Sequence, residues 1–260
     1  MLRKQAWPDA CRKATYAAFL SRPLSRVPVL PSISTRASLL ASLFDAGVVT
    51  ALAAPRLADD ELFAEERRYI AAAVPKRRAE FATARLCARE ALARLGVATC
   101  PLVPHPDRSP YWPPGISGSI SHTNGCCAVA VTRMPVRGIG LDIESDTALG
   151  PGLEARVCTP AEREWLDGAG PGERERLAKL FFSAKEAFYK CQYGASRTPL
   201  GFHDVTLEID TKASTFAVAE IARSGAIWDI IRRAKGTLAR GGELIMTAAV
   251  LAPEAGIQGR

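Results

Sequence analysis

The proline-rich segment at residues 97–115 limits the folds open to this 260-residue chain more than any other feature. Proline lacks a backbone N–H and is poorly tolerated inside helices and central strands, so we expect this segment to be mostly loop. Apolar residues with helical spacing come before it, and three short strand-like runs come after it. The segment therefore separates predicted helices from a predicted sheet, an order that favours an α+β fold.

A second set of helices beside a small antiparallel sheet follows later in the chain, so we predict two similar α+β halves. The predicted helices lie at residues 39–44, 59–73, 75–95, 159–167 and 173–192. The predicted strands lie at residues 117–121, 126–132, 138–144, 205–209, 215–221 and 244–251. The predicted organisation is a basic extension at 1–37, an N-terminal half at 38–146, a C-terminal half at 147–253 and a tail at 254–260.

The composition excludes several classes of protein. With 48% hydrophobic residues the chain can bury a sizeable core, yet no apolar run approaches the ~20 residues that a membrane-spanning helix requires. The seven cysteines are odd in number and form no Cys-x-x-Cys pair. This pattern gives no sign of a disulfide framework or a zinc site, and it favours a reducing cytoplasm.

The net charge of +7 is concentrated near the N-terminus. Of 34 Lys and Arg and 27 acidic residues, seven basic residues and one acid lie in residues 1–36, so 27 basic and 26 acidic residues remain. The body is nearly neutral and has no charge bias toward DNA or RNA. For the basic stretch we favour a disordered extension or a misassigned start codon over a targeting signal.

The most informative segment is Gly-Ile-Gly-Leu-Asp-Ile-Glu at residues 138–144. On a strand, Asp142 and Glu144 share one face, while Leu141 and Ile143 point to the opposite, core side. Two neighbouring carboxylates repel each other unless a cation lies between them, and hard oxygen ligands suit Mg²⁺. The alternative is a half-exposed edge strand with solvated acids.

A second segment, residues 181–190, has an apolar stripe with helical spacing. Glu186 and Lys190 are four residues apart and share roughly the opposite face of that helix. Taken alone, this pattern indicates an ordinary surface ion pair on an amphipathic helix, which contributes about 0.3–0.5 kcal/mol.

Two further features offer donors for phosphate groups. His122 follows Ser121 at a predicted strand end, where it can donate hydrogen bonds to phosphate oxygens or serve as a structural histidine. Arg78, Arg85 and Arg89 line one face of a predicted helix. Their planar guanidinium groups suit phosphate oxygens, although a solvated basic face is the usual reason for such a run.

Four motifs, each weak alone, occur together in one order. They are Arg77-Arg78-Ala79-Glu80-Phe81, the stretch from Trp112 to His122, Gly140-Leu141-Asp142-Ile143-Glu144, and the stretch from Phe182 to Lys190. Through them the chain resembles the 4′-phosphopantetheinyl transferases, and within these the enterobactin-synthase type of the larger, pseudo-dimeric class. The resemblance covers residues 38–253 and implies two similar halves with the active site in the cleft between them.

The resemblance implies transfer of 4′-phosphopantetheine from coenzyme A to a serine of an apo-carrier protein, with release of adenosine 3′,5′-bisphosphate. The implied metal is Mg²⁺, for which Mn²⁺ can substitute, and its ligands are Asp142, Glu144 and Glu186. The implied catalytic residues are Glu186 and Lys190, with Glu186 acting as base or only as ligand. The implied contacts to coenzyme A come from Arg78, Arg85, Arg108, Ser121, His122, Asp142 and Lys190.

The implied partners are acyl, peptidyl or aryl carrier domains of siderophore, non-ribosomal peptide or polyketide biosynthesis. We expect a cytoplasmic monomer that has no membrane span and binds no nucleic acid. Two other functions stay open on the sequence alone: a coenzyme A-binding regulator without catalysis, and a nucleic-acid-binding protein suggested only by the high pI.

Overall fold

The computed structural model describes residues 33–170 and 172–253, which belong to one compact unit. The extension predicted at 1–37 lies mostly outside the described residues, and the tail predicted at 254–260 lies entirely outside them. None of the helices within these two ranges is long and apolar enough to cross a membrane.

The described residues form seven α-helices and eight β-strands. The helices are α1 Ile33–Ala41, α2 Ala64–Ile70, α3 Pro75–Arg94, α4 Glu154–Val157, α5 Pro160–Leu166, α6 Arg174–Ser196 and α7 Ala226–Ile231. The strands are β1 Val48–Ala53, β2 Ser117–Thr123, β3 Cys126–Thr132, β4 Gly138–Ser145, β5 Val205–Asp210, β6 Thr215–Ile221, β7 Lys235–Gly241 and β8 Leu244–Leu251. The α+β class is confirmed, whereas the similarity of two halves and their boundaries stay predictions.

The strands form two antiparallel sheets, one in the order β1-β3-β2 and one in the order β4-β8-β7-β6-β5. The central strand β3 is buried along its whole length. Its residues Val129 and Val131 pack in a core with α3, whereas Ala128 and Ala130 pack in a second core with β4 and β8. Because both faces of β3 are covered, its sequence is continuously apolar rather than alternating.

Helix α6 packs directly on β4, and two glycines make this close approach possible. A Cβ atom at Gly140 would lie 1.9 Å from the carbonyl oxygen of Ala187, and one at Gly138 would lie 2.1 Å from that of Cys191. No other residue fits at these two positions without moving the helix. The Gly-x-Gly sequence therefore brings the backbone of β4 against the helix that carries Glu186 and Lys190.

Side chains rather than a backbone ladder join the two sheets between β2 and β4. The hydroxyl of Ser119 accepts a hydrogen bond from the N–H of Leu141 at 3.0 Å. The hydroxyl of Ser121 accepts one from the N–H of Ile143 at 3.2 Å. These bonds satisfy backbone donors of β4 that lack a strand partner on this side, and they fix β2 beside the acidic end of β4.

Three helix predictions are corrected by the structure. The helix predicted at 39–44 begins earlier, at Ile33 within the predicted extension, and ends at Ala41. The helix predicted at 59–73 is a short 3-10 turn, Asp59–Glu61, followed by α2, because the buried side chain of Glu66 accepts the N–H of Phe63 and begins a new helix there. Helix α6 continues beyond Gly194 to Ser196, and it ends only where Arg197 adopts a left-handed conformation. The proline-rich segment is loop, as predicted, apart from one isolated bridge.

The structure also contains four elements that the sequence pattern did not predict, namely β1, α4, α7 and β7. The strands β1 and β7 are half-buried and pair mainly through backbone hydrogen bonds to buried neighbours. Their formation therefore depends on tertiary context more than on their own residues.

Candidate active site

Asp142 on β4 lies at the centre of a buried polar network. Its Oδ1 accepts hydrogen bonds from Lys190 Nζ at 2.8 Å and from the Ser121 hydroxyl at 2.9 Å. Its Oδ2 accepts the hydroxyl of Ser183 at 2.9 Å. Only 4% of Asp142 is exposed, so three donors compensate for the burial of the carboxylate.

The strand alternation predicted for β4 is confirmed. Leu141 and Ile143 are fully buried in the core on one face of the sheet. On the other face, Glu144 follows Asp142 and pairs with Lys179 of α6, whose Nζ lies 2.6 Å from Oε2. Burial and the charge of Asp142 raise the pKa of Glu144, while the Lys179 charge opposes this rise.

Glu186 is the third acid at this place. Burial raises its pKa to about 7; the positive charge of Lys190 opposes this shift, and the negative charges of Asp142 and Glu144 add to it. The three carboxylates predicted as a set are therefore near enough to repel one another through their charges. The sequence reasoning missed Lys179, although it lies seven residues before Glu186, a spacing that places both on one helix face.

The donor chemistry of these acids fits Mg²⁺, because carboxylate oxygens are the hard ligands that this ion prefers. In the arrangement described, Lys190 and Lys179 neutralise two of the three carboxylates. Within residues 33–170 and 172–253, no group of three histidine, cysteine or acidic side chains is drawn together closely enough to hold a metal ion. The metal ligand set therefore stays a prediction.

A basic edge borders the acids, formed by α3 and the end of β2. Arg77 Nη1 lies 2.9 Å from His122 Nε2, and Glu80 Oε2 lies 3.6 Å from the other ring nitrogen. Burial, followed by the charges of Arg77 and Lys190, lowers the pKa of His122 to about 4. Because 37% of the His122 side chain remains exposed, solvent screens part of this effect.

The arginines predicted on α3 are each engaged by a partner within the protein; that of Arg89 is Glu66. Arg78 points to Asp59 and forms an ion pair with it. Arg85 is 6% exposed; its Nε donates to the carbonyl of Leu102 at 2.8 Å, and its guanidinium lies 4.0 Å from the ring centre of Phe81. These contacts of Arg78 and Arg85 hold α3 against neighbouring parts of the protein. The predicted contacts of the two arginines to coenzyme A therefore stay predictions.

Arg77 is the residue of this helix that the structure places beside His122, and the sequence reasoning did not single it out. The basic run at the start of α3 indicated this region, but not which of the adjacent residues Arg77 and Arg78 contacts His122. A one-residue difference turns a helical side chain by about 100° around the axis. Arg108 is exposed in the proline-rich segment and has a φ of 71°.

The fold is that of an α+β protein. Carboxylates, lysines and an arginine lie at the junction of its two antiparallel sheets, and such a site is suited to phosphate groups. Residues 65–132 match the model of the 4′-phosphopantetheinyl transferase N-terminal domain, and residues 138–239 match that of the 4′-phosphopantetheinyl transferase superfamily. The chain belongs to this superfamily, which confirms the resemblance seen in the sequence motifs.

Three relatives illustrate the extent of the similarity. The chain is 37% identical to the 4′-phosphopantetheinyl transferase Svp of Streptomyces mobaraensis over 84% of this chain and 91% of that protein. It is 34% identical to the 4′-phosphopantetheinyl transferase PptT of Mycobacterium tuberculosis over 73% of this chain and 85% of that protein. It is 35% identical to enterobactin synthase component D of Escherichia coli over 50% of this chain and 60% of that protein.

Proposed function

We propose that this chain transfers the 4′-phosphopantetheine group of coenzyme A to a serine of an apo-carrier protein. In this reaction the serine hydroxyl oxygen bonds to the phosphorus on the pantetheine side of the pyrophosphate. The bond from that phosphorus to the bridging oxygen breaks, and adenosine 3′,5′-bisphosphate leaves with this oxygen. The observation that carries the proposal is the convergence of Lys190, Asp142 and the half-buried Glu186 from two distant segments.

The positive groups of the site suit the charge that develops in this reaction. Phosphoryl transfer depends mainly on positioning and on neutralising charge on the transferred and leaving phosphates. Lys190 keeps 27% of its side chain exposed, so substrate can approach this residue. Arg77 supplies a further donor at the basic edge, and His122, whose Nε2 accepts from Arg77, supplies another when its ring is protonated; we propose that the 3′-phosphate binds there.

We propose that Asp142, Glu144 and Glu186 hold Mg²⁺, with Mn²⁺ as a substitute. Support comes from the mutual repulsion of the three acids, which a divalent cation would relieve. The ion would neutralise charge on the pyrophosphate. The ion pair between Lys179 and Glu144 would have to loosen for that carboxylate to become a ligand.

We propose that Glu186 takes the proton of the attacking serine. Its pKa of about 7 lies near neutral pH, the range in which a general base is most effective. A bound cation would favour the charged form of Glu186. A role as metal ligand and a role as base therefore make the activity respond differently to Mg²⁺ and to pH.

The proposal also covers the protein that accepts the phosphopantetheine group and the cellular compartment of the enzyme. We propose that the serine acceptor is an acyl, peptidyl or aryl carrier domain of siderophore, non-ribosomal peptide or polyketide synthesis, and that the enzyme acts as a monomer. The relatives named enterobactin synthase component D favour the siderophore assignment. The six cysteines among the described residues are all free, as expected in a reducing cytoplasm.

Mass spectrometry of a panel of apo-carrier proteins, after incubation with coenzyme A and Mg²⁺, tests the function directly. We expect a mass gain equal to the phosphopantetheine group on at least one of them, and no gain with a Lys190→Ala, Glu186→Gln double variant. Binding of coenzyme A without any mass gain across acyl, peptidyl and aryl carriers would support the non-catalytic regulator instead.

A further inference from the structure

The proline-rich segment forms a tight loop around Arg108. Pro104 and Pro110 form an isolated antiparallel bridge at its base, and the N–H of His105 donates to the carbonyl of Ser109 at 2.8 Å. The N–H of Arg108 donates to the carbonyl of His105, also at 2.8 Å. Arg108 has a φ of 71°, a conformation that costs a non-glycine residue free energy and persists where the surroundings hold it.

The carboxylate of Asp107 both closes this loop and ties it to the active-site helix. Its Oδ1 accepts the N–H of Ser109 at 2.9 Å and the Ser109 hydroxyl at 2.6 Å. Its Oδ2 accepts the hydroxyl of Tyr193 at 2.9 Å. Tyr193 belongs to α6 and follows Lys190 by three residues, so one hydrogen bond connects the loop to the helix of the proposed site.

The ring of Tyr193 contacts two neighbouring side chains, which limit its movement. It stacks on the ring of Tyr189, one helical turn earlier, with centroids 5.7 Å apart. The guanidinium of Arg197 lies 5.9 Å from the centre of the Tyr193 ring. A hydroxyl on a fixed ring loses little rotational freedom when it binds, so this bond is well suited to hold an exposed loop.

We propose that Tyr193 is a positioning residue, which acts through Asp107 to hold Arg108 in place for contact with coenzyme A. This inference rests on the proposed function and on the contact expected for Arg108. It assigns to Tyr193 a role in substrate binding although the tyrosine itself need not touch the substrate. Removal of the hydroxyl alone is then expected to loosen the loop and to weaken binding through Arg108.

Trypsin provides a test of the loop that does not depend on activity. Trypsin cleaves after arginine, and the bond from Arg108 to Ser109 lies in this exposed loop. In Tyr193→Phe we expect cleavage at this bond, identified by the masses of the fragments, to accelerate about 3- to 10-fold, because one hydrogen bond to a charged acceptor is removed. The matched control is Tyr69→Phe, which removes a hydroxyl from a ring stacked on Phe81 in another part of the chain.

Kinetics with coenzyme A test the positioning role. We expect Tyr193→Phe to raise KM for coenzyme A about 3- to 10-fold with little change in kcat, since an interaction removed equally from the ground and transition states affects binding alone. In an Arg108→Ala background the same substitution is expected to change KM no further, because the two residues act in one chain of contacts. Tyr69→Phe is expected to leave KM unchanged in both backgrounds.

The possible outcomes separate this inference from the proposed function. Unchanged cleavage at Arg108 in Tyr193→Phe would overturn the loop contact, whatever the activity. Faster cleavage with an unchanged KM, or equal losses in the wild-type and Arg108→Ala backgrounds, would overturn the positioning role while transfer by the wild-type enzyme still supports the function. If the wild type transfers nothing, the proposed function fails, and the dissociation constant of coenzyme A measured by calorimetry replaces KM in the same comparison.

Discussion

Lys190 Nζ lies 2.8 Å from Oδ1 of Asp142, a residue 48 positions earlier in the chain. The same ammonium group donates to the carbonyl of Leu141 at 2.9 Å and to the hydroxyl of Ser121 at 3.2 Å. Its three donors are therefore all used, two of them by uncharged oxygens. A phosphate oxygen is a stronger acceptor than either of these, so substrate can replace them while the ion pair with Asp142 remains.

The first prediction concerns Glu186. Glu186→Gln is expected to lower kcat at least ~100-fold, the lower end of a general acid–base contribution, while the fold measured by circular dichroism is unchanged. If Glu186 acts chiefly as a metal ligand, higher Mg²⁺ recovers part of the rate; if it acts chiefly as the base, higher pH helps and Mg²⁺ does not. The matched control is Glu175→Gln, at an exposed position of the same helix. A near-normal kcat in Glu186→Gln would contradict the proposed role of Glu186 in the active site.

The second prediction is dependence on a divalent cation. Excess EDTA is expected to abolish transfer, and Mg²⁺ or Mn²⁺ is expected to restore it, because a divalent cation would relieve the repulsion among the three carboxylates. Mn²⁺ binding can be followed separately by electron paramagnetic resonance, with Asp142→Asn as the variant that weakens it. Full activity in the presence of chelator would exclude the proposed metal role.

The third prediction separates the two neighbouring arginines of α3. Arg77 contacts His122, whereas Arg78 is engaged by Asp59, so Arg77→Ala is expected to raise KM for coenzyme A more than Arg78→Ala does. The loss caused by Arg77→Ala is expected to shrink with dephospho-coenzyme A, because that substrate lacks the 3′-phosphate. A larger effect of Arg78→Ala on KM would contradict this prediction and would indicate that Arg78, as predicted from the sequence, contacts the phosphate.

The fourth prediction concerns the protonation of His122. Burial lowers its pKa to about 4, so we expect a neutral imidazole at pH 7 in the free protein. Binding of adenosine 3′,5′-bisphosphate is expected to raise this pKa, because a nearby phosphate favours the charged ring. Titration of the ring carbon resonances by NMR measures both values. A pKa that does not respond to the nucleotide would mean that His122 lies away from the bound phosphates.

The lowered pKa of His122 also makes the stability of the protein depend on pH. A histidine whose folded pKa is lowered binds more protons when the chain is unfolded, so stability is lost as pH falls from about 6.5, the ordinary value, toward 4. His122→Gln is expected to reduce this acid-induced loss in urea unfolding at pH 7 and pH 5. An identical pH dependence in the variant would show that the ring is exposed enough to titrate normally.

The fifth prediction concerns Lys185, which precedes Glu186 but lies on another face of α6. Its Nζ lies 2.7 Å from Glu162 Oε2 and donates to three backbone carbonyls, with 2% of the residue exposed. Lys185→Met leaves Glu162 buried without its partner and is expected to cost about 3–5 kcal/mol of unfolding free energy. Urea unfolding measures this, with the exposed Lys212→Met as control. A loss below about 1 kcal/mol, the range of a surface ion pair, would contradict this structural role.

The sequence alone predicted which residues share a local surface, but not which distant surface they meet. Alternation placed Asp142 and Glu144 on one face of a strand, and helical spacing placed Glu186 and Lys190 on one face of a helix, because both depend on local geometry. The pairing of Lys185 with Glu162, and of Arg78 with Asp59, depends on tertiary packing. Helical spacing therefore singled out Arg78, whereas in the fold Arg77 contacts His122 and Arg78 contacts Asp59.

The glycines of β4 set the separation between strand and helix by backbone contact alone. The distance from Asp142 to Lys190 therefore does not depend on the size of any side chain between them. The loops at the edge of the site, including the one that carries Arg108, can therefore change in sequence while this spacing stays constant. Conversely, one methyl group introduced at Gly140 would force β4 and α6 apart, and Lys190 would lose its alignment with Asp142.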